Sequence, residues 1–212
     1  MEVRMFTVGM VQENCFVFRR EESDRAVIVD PGDEPDKLLS ALDSLGVQLD
    51  AILLTHTHFD HVGAVAPVAK ATGAEVWVPE IEKGVLADIN AYVPWPGFGP
   101  FENWDAEHTV EGGERLELGG FAIDVHFTPG HSPGHVTYSV PGEAVAFSGD
   151  VLFQGSVGRT DLPGGDWPTL LASIQCLVEK LPPDTTLYPG HMGVTTLGAE
   201  RDTNPFLAEL AR

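Results

Sequence analysis

Short runs of apolar, β-branched residues alternate along the chain with stretches whose apolar positions recur every three or four residues. Val3–Val8, Cys15–Arg19 and Ala26–Val29 read as strands, the last closed by the turn Asp30-Pro31-Gly32. In Asp36–Leu45, the residues Leu38, Leu39, Ala41, Leu42 and Leu45 fall on one helical stripe that Gly46 stops. Ala51–Leu54 is apolar throughout, which predicts a strand buried on both faces. Val62–Thr72 predicts a helix despite Pro67, and Glu75–Val78 another strand. Further strands are expected at Glu114–Leu118, Phe121–Phe127, Val136–Val140, Ala144–Phe147 and Thr185–Tyr188. Asp166-Trp167-Pro168 resembles a helix start leading into Leu170–Leu181, and Asn204-Pro205 opens a short closing helix. No repeat, low-complexity linker or break in composition divides the chain, so the expectation is a single α/β domain over residues 1–212.

Asn90–Gly113 resists this pattern. It interleaves Tyr92, Trp95, Phe98, Phe101 and Trp104 with Pro94, Pro96, Gly97, Gly99 and Pro100. A loop of this length in a compact domain is usually functional or poorly ordered. Either it is a flap that packs its aromatics on the body or on a second subunit, as in a homodimer, or it is a lid over a substrate.

Composition narrows the partners. With 212 residues, 43% of them hydrophobic, the chain can bury a full core. Its 32 acidic and 12 basic residues give a formal net charge of −20, a field that repels polyanions, so no nucleic-acid partner is expected. A small anionic substrate remains compatible if a metal or a local Arg reverses the sign nearby. No run approaches the roughly 20 apolar residues of a membrane span, and MEVRMFTVGM does not read as a secretory signal. Cys15 and Cys176 make no disulfide framework, which points to a reduced, cytoplasmic setting.

The chemistry concentrates at strand ends. After the apolar run of residues 51–54 come His56, His58, Asp60 and His61, within LLTHTHFDHVGA. Phe121–Phe127 leads into TPGHSPGH with His131 and His135, Ala144–Phe147 into SGD with Asp150, and Thr185–Tyr188 into PGH with His191. In open α/β sheets, sites form where strand C-termini release their loops. Imidazole and carboxylate donors without thiolate suit zinc, manganese or iron. His56 and His58, two apart on a turn, can chelate one ion from the same side, and Asp60 and His61 are better placed for a second. Two ions roughly 3.5–4 Å apart need a shared carboxylate or hydroxide, and Asp150 is the isolated Asp suited to that place. His108 and His126 are assigned to structure or solvent, and His135 to tethering backbone rather than to ligation.

In this order, the HxHxDH motif (His56, His58, Asp60, His61), His131, Asp150 and His191 resemble the metallo-β-lactamase fold superfamily over nearly the whole chain. The resemblance implies an αββα four-layer sandwich with two divalent ions at the strand ends, zinc first, with iron or manganese as alternatives. It implies that His56, His58 and His131 hold one ion, that Asp60, His61 and His191 hold the other, and that Asp150 bridges. VQENCF, IVDPGDEP, TPGHSPGH, FSGDVLFQGSVGRTDLPGGD and TLGAERDTNPFL are similar to the short glyoxalase II-like (hydroxyacylglutathione hydrolase-like) subgroup. That subgroup implies hydrolysis of a small 2-hydroxyacyl thioester by a bridging hydroxide. Asp60 and Asp150 would act as catalytic carboxylates, and a thiolate with a pKa of about 8.5 would leave without a general acid.

Two departures bear on the thiol. By the resemblance, the additional C-terminal helical domain that helps full-length glyoxalase II hold glutathione is not expected here. The places of that enzyme's tyrosines are taken by Asp161 and Gly193, leaving Arg159 as the candidate substrate contact. Persulfide dioxygenases share the scaffold and a GRTD-like loop and use one iron, for which His56, His131 and Asp150 would serve. A lactonase is a further, weaker alternative.

Overall fold

The computed structural model describes residues 1–208. The chain forms two compact units, one of Met1–Val110 with Glu117–Phe121, the other of Glu111–Leu116 with the chain from Ala122 on. Among the described residues, no helix is long and apolar enough to cross a membrane.

The first unit is built on a six-stranded sheet ordered β1 (Glu2–Val8), β2 (Glu13–Arg19), β3 (Arg25–Val29), β4 (Gln48–Leu53), β5 (Glu75–Pro79) and β6 (His108–Val110). The first two pairings are antiparallel and the remaining three parallel. Parallel neighbours need crossovers, and helices supply them. Helix α1 (Pro35–Leu45) links β3 to β4. It carries Pro35 in its first turn, buries Leu38 and Leu42, and ends at Gly46 in a left-handed conformation (φ 64°). Helices α2 (Phe59–Val62) and α3 (Val65–Thr72) link β4 to β5, and α4 (Lys83–Ala87) follows β5. Ile28, Ile52, Leu54, Leu38, Val65, Val68 and Val76 share the core. Because β3, β4 and β5 run parallel, Asp30, the His56 turn and Glu82 all lie beyond the same end of the sheet.

The second sheet is ordered β14, β13, β10, β9, β8, β7. Its strands are β7 (Arg115–Leu118), β8 (Phe121–Phe127), β9 (Val136–Val140), β10 (Val145–Gly149), β13 (Thr186–Pro189) and β14 (Thr195–Thr196). A hairpin of β11 (Leu152–Phe153) and β12 (Ser156–Val157) stands apart from it. Helix α5 (Trp167–Lys180) is capped by Asp166, whose carboxylate accepts the Thr169 N–H at 2.9 Å, and it buries Leu170, Ile174 and Leu177. A further helix, α6 (Leu197–Thr203), is followed by the 3₁₀ turn Pro205–Leu207. β8 and β10 are each antiparallel to β9, and β10 is parallel to β13. The C-terminal ends of β8, β10 and β13 therefore share one edge, from which the loops bearing His131, Asp150 and His191 leave.

Three expectations change in detail. The helix expected over Val62–Thr72 is two helices: Gly63 keeps right-handed helical angles (φ −60°, ψ −27°) and the departure comes at Ala64 (φ −101°, ψ 4°). Pro67 falls within the first turn of α3, where its missing N–H leaves no intrahelical bond unmade. The Asn90–Gly113 segment contains β6, which pairs with β5 and places His108 on a strand. Trp95, Phe98 and Phe101 from this segment gather around Phe59.

Candidate metal centre

Beyond β4 the chain bends at Thr55 and enters α2 at Phe59. Thr55 and Thr57 turn inward to carboxylates. Asp30 accepts the Thr55 N–H at 2.7 Å and the Thr55 hydroxyl at 2.6 Å. One oxygen of Glu82 accepts both the N–H and the hydroxyl of Thr57, at 2.7 and 2.9 Å. His56 and His58 are thereby turned to the other side, where His56 Nε2 and His58 Nδ1 approach to 3.1 Å.

The hydrogen bonds also set the tautomers. The Thr55 hydroxyl donates to Asp30, so its oxygen receives His56 Nδ1–H at 3.1 Å, and His56 Nε2 keeps its lone pair. His61 Nδ1 donates to Asp30 at 3.0 Å, with Glu13 at 3.8 Å behind it, which likewise reserves His61 Nε2. Asp30, His56 and His61 each place a ligand-type atom within 4.8 Å of the others. Asp30 nevertheless spends its oxygens on Thr55 and His61, which makes it their anchor. Asp60 Oδ2 lies 3.9 Å from His61 Nε2. Its backbone runs so close to the β3 turn that a side-chain carbon at Gly32 would overlap the Asp60 carbonyl.

The second unit repeats the device. His131 Nδ1 donates to the Arg159 carbonyl at 2.8 Å, reserving Nε2. Asp150 Oδ2 lies 3.4 Å from His131 Nε2 and 3.6 Å from His191 Nε2. Asp150 is itself held through its backbone, whose N–H donates to His135 Nε2 at 3.0 Å. His135 Nδ1 pairs with Thr128 Oγ1 at 3.0 Å, so His135 tethers backbone as expected. A side-chain carbon at Gly158 would overlap the Asp150 carbonyl and lie 3.2 Å from His131 Nδ1.

The donor chemistry fits divalent cations. Two imidazole nitrogens on one tetrahedral zinc, each at 2.0–2.1 Å, lie about 3.3 Å apart, close to the His56–His58 approach. A single carboxylate oxygen nearly equidistant from two histidine nitrogens is what a shared ligand requires. The Nδ1 bonds to carboxylate or carbonyl are the usual supports of metal-bound histidine.

Other predicted residues have other surroundings. The Arg159 guanidinium is gripped by both oxygens of Asp161 at 2.7 Å, which holds the Asp161 carboxyl down to about 2 and raises the Arg159 pKa. His108 pairs with Glu75 at 2.6 Å and stacks on Trp77. His126 meets Ser139 Oγ at 2.7 Å and lines a cleft of about 540 Å³ with Arg115, Phe127 and Lys180, and none of the predicted donors lines it. Asp30 and Glu82 were not singled out from sequence. In the sequence Asp30 belongs to the turn Asp30-Pro31-Gly32, and a lone Glu one turn beyond a strand carries no signal of its own. An acid directly following a buried strand was the available clue at Asp30.

A family model described as the metallo-beta-lactamase superfamily matches residues 8–191. The chain is 36% identical to the hydroxyacylglutathione hydrolase GloC of Haemophilus influenzae, with 98% of each protein covered. It is 41% identical to a structure described as the BLEG-1 B3 metallo-beta-lactamase, with a TM-score of 0.91 over 98% of this chain and 100% of that one. A structure described as TTHA1623 in a di-iron-bound form is 43% identical, with a TM-score of 0.80 over 96% and 100%.

Proposed function

Since this chain belongs to the metallo-β-lactamase superfamily, whose members are usually hydrolytic enzymes, we propose that it is a metal-dependent thioester hydrolase acting on a small 2-hydroxyacyl thioester. The observation that carries this reading is the common tautomer of His56, His61 and His131. Each gives Nδ1–H to an oxygen of its own unit and keeps Nε2 for a cation. The family pattern assigns His56, His58 and His131 to one ion and Asp60, His61 and His191 to the other, with Asp150 common to both. Zinc leads on donor type, and iron is the alternative that the di-iron neighbour supports.

Two divalent ions held there would supply a water acidic enough to be nucleophilic near neutral pH and a Lewis acid for the thioester carbonyl. The residues do the rest. Asp150, fixed by His135, keeps one oxygen between His131 and His191. Asp60, only partly buried, is the carboxylate able to take the proton of the attacking water. The departing thiolate, with a pKa of about 8.5, needs no proton donor, and none is called for among the donors. Arg159, with Asp161 taking up its charge, is the candidate contact to the thiol portion.

The likeness to the hydroxyacylglutathione hydrolase of Haemophilus influenzae supports the thioester. The 41% identity to a structure described as a B3 metallo-beta-lactamase favours a second reading, β-lactam cleavage by the same donors. The test is metal quantification on protein purified without added metal, then thiol release from S-lactoyl thioesters beside β-lactam and lactone hydrolysis. Thiol release with two ions per chain is the expected result. A single iron per chain with oxygen uptake on a thiol persulfide would replace the hydrolase reading with a dioxygenase.

A further inference from the structure

Helix α2 is a single turn, Phe59–Val62, and it carries Asp60 and His61 with His58 at its N-terminal boundary. The His58 side chain makes no capping hydrogen bond. A lone helical turn has no cooperative stability of its own, so its shape is imposed from outside. Beside the Asp30 anchor of His61, part of what imposes it is aromatic. The Phe59 ring, between two of the proposed donors, is 6% exposed. Its centroid lies 4.7 Å from that of Phe98, 5.9 Å from Trp95 in an edge-on arrangement, and 6.0 Å from Phe101, nearly parallel. Phe101 also closes on Gly63, the residue that ends the turn.

The aromatic segment is itself tied down. The Asn90 amide donates to the Phe101 carbonyl and accepts the Phe101 N–H, both at 2.8 Å. Trp104 N–H donates to the Leu86 carbonyl at 3.2 Å, and Glu102 pairs with Lys70 of α3. Most other residues between 92 and 104 are exposed, so the segment contributes little to the unit beyond these inward rings.

We propose that residues 92–104 form a retention strap for the metal-binding turn. Phe98, with Trp95 and Phe101, grips Phe59 and so sets where His58, Asp60 and His61 stand. These are positioning residues and touch no reacting atom. The inference rests on the reading of that turn as a metal site. It predicts that the strap governs how firmly metal is held, separately from the stability of the unit.

The experiment follows release of zinc from the zinc-loaded protein to a chromogenic chelator, with thermal melting recorded on the same samples. Phe98→Ala should give up zinc about tenfold faster, the scale on which supporting residues affect metal affinity. Trp95→Ala, at the more exposed ring, should have a smaller effect in the same direction, and Phe98→Tyr should behave like the parent. Leu38→Ala, a core substitution in α1, should lower the melting temperature and leave the release rate unchanged. A parent that takes up neither zinc nor ferrous iron overturns both the metal reading and the strap. A parent that binds zinc, with a Phe98→Ala variant that holds it as firmly, overturns the strap alone. Equal acceleration in Leu38→Ala would also overturn it, by reducing the effect to stability.

Discussion

Thr57 gives both its backbone N–H and its hydroxyl to a single oxygen of Glu82, which is 4% exposed. That pairing turns the middle residue of His56-Thr57-His58 inward and leaves the two imidazoles on the other side. Glu82→Ala strands two donors inside the protein, at a cost of about 1–3 kcal/mol. It should also weaken metal retention about 10- to 100-fold, as loss of residues that orient ligands commonly does. Glu82→Gln keeps an oxygen in place and should recover most of both. Urea unfolding and metal competition measure the two effects, and an Ala variant with unaltered metal retention would refute the orienting role.

His135 holds Asp150 from behind, accepting its N–H at 3.0 Å. His135→Ala removes that acceptor and leaves the side chain of every proposed ligand in place. Thioester turnover should fall about 10- to 100-fold, with the loss in kcat rather than KM because the displaced group is Asp150. Steady-state kinetics on an S-lactoyl thioester decide it. A rise in KM alone would place His135 in substrate binding instead.

His58→Ala and Asp150→Ala each remove a donor that its partners cannot replace, His58 beside His56 and Asp150 between His131 and His191. Hydrolysis should be abolished in both. Chelator treatment of the parent should do the same, and added zinc should restore it. Activity that survives loss of Asp150 would rule out a shared carboxylate.

The donors were legible because their density on one apolar-led turn has no structural explanation, and because each of the other three follows a strand. Their supports were less so. Asp30 and Glu82 look like ordinary turn acids until β3, β4 and β5 run parallel and bring their ends together. The break between α2 and α3 was hidden as well. The departure from helical angles falls at Ala64, an apolar residue that local periodicity reads as helix, and only the neighbouring Gly63 is crowded by Gly32 and Phe101. The strand β6, three residues long and at the edge of its sheet beside β5, fell below what an alternating pattern can signal.

Burial lowers the His126 pKa from 6.5, Lys180 adds to the shift, and Asp124 opposes it. The unfolded chain therefore takes up a proton at pH values where the folded protein does not. Stability from this residue is full above about pH 6.5 and is lost as pH falls toward the folded pKa. His126→Gln should lose less melting temperature than the parent on going from about pH 7.5 to about pH 5.5. Because His126 lies among Arg115, Phe127 and Lys180 rather than among the donors, its hydrolytic activity should be largely intact. Identical pH profiles for parent and variant would count against the neutral buried imidazole.

Gly158 and Gly46 separate crowding at the site from simple backbone strain. At Gly46 a side-chain carbon meets nothing within 4 Å, and the only obstacle is a φ of 64°. Gly46→Ala should cost about 1–2 kcal/mol, from the left-handed backbone, and leave activity unchanged. At Gly158 the added carbon would overlap the Asp150 carbonyl and press on His131 Nδ1, whose partner is the next residue's carbonyl. Relief of that clash must move Asp150 or His131. Gly158→Ala should therefore lose metal and activity at temperatures where circular dichroism still reports a folded chain. If it melts early yet binds metal normally while folded, the close approach is a packing feature and does not set the donor geometry.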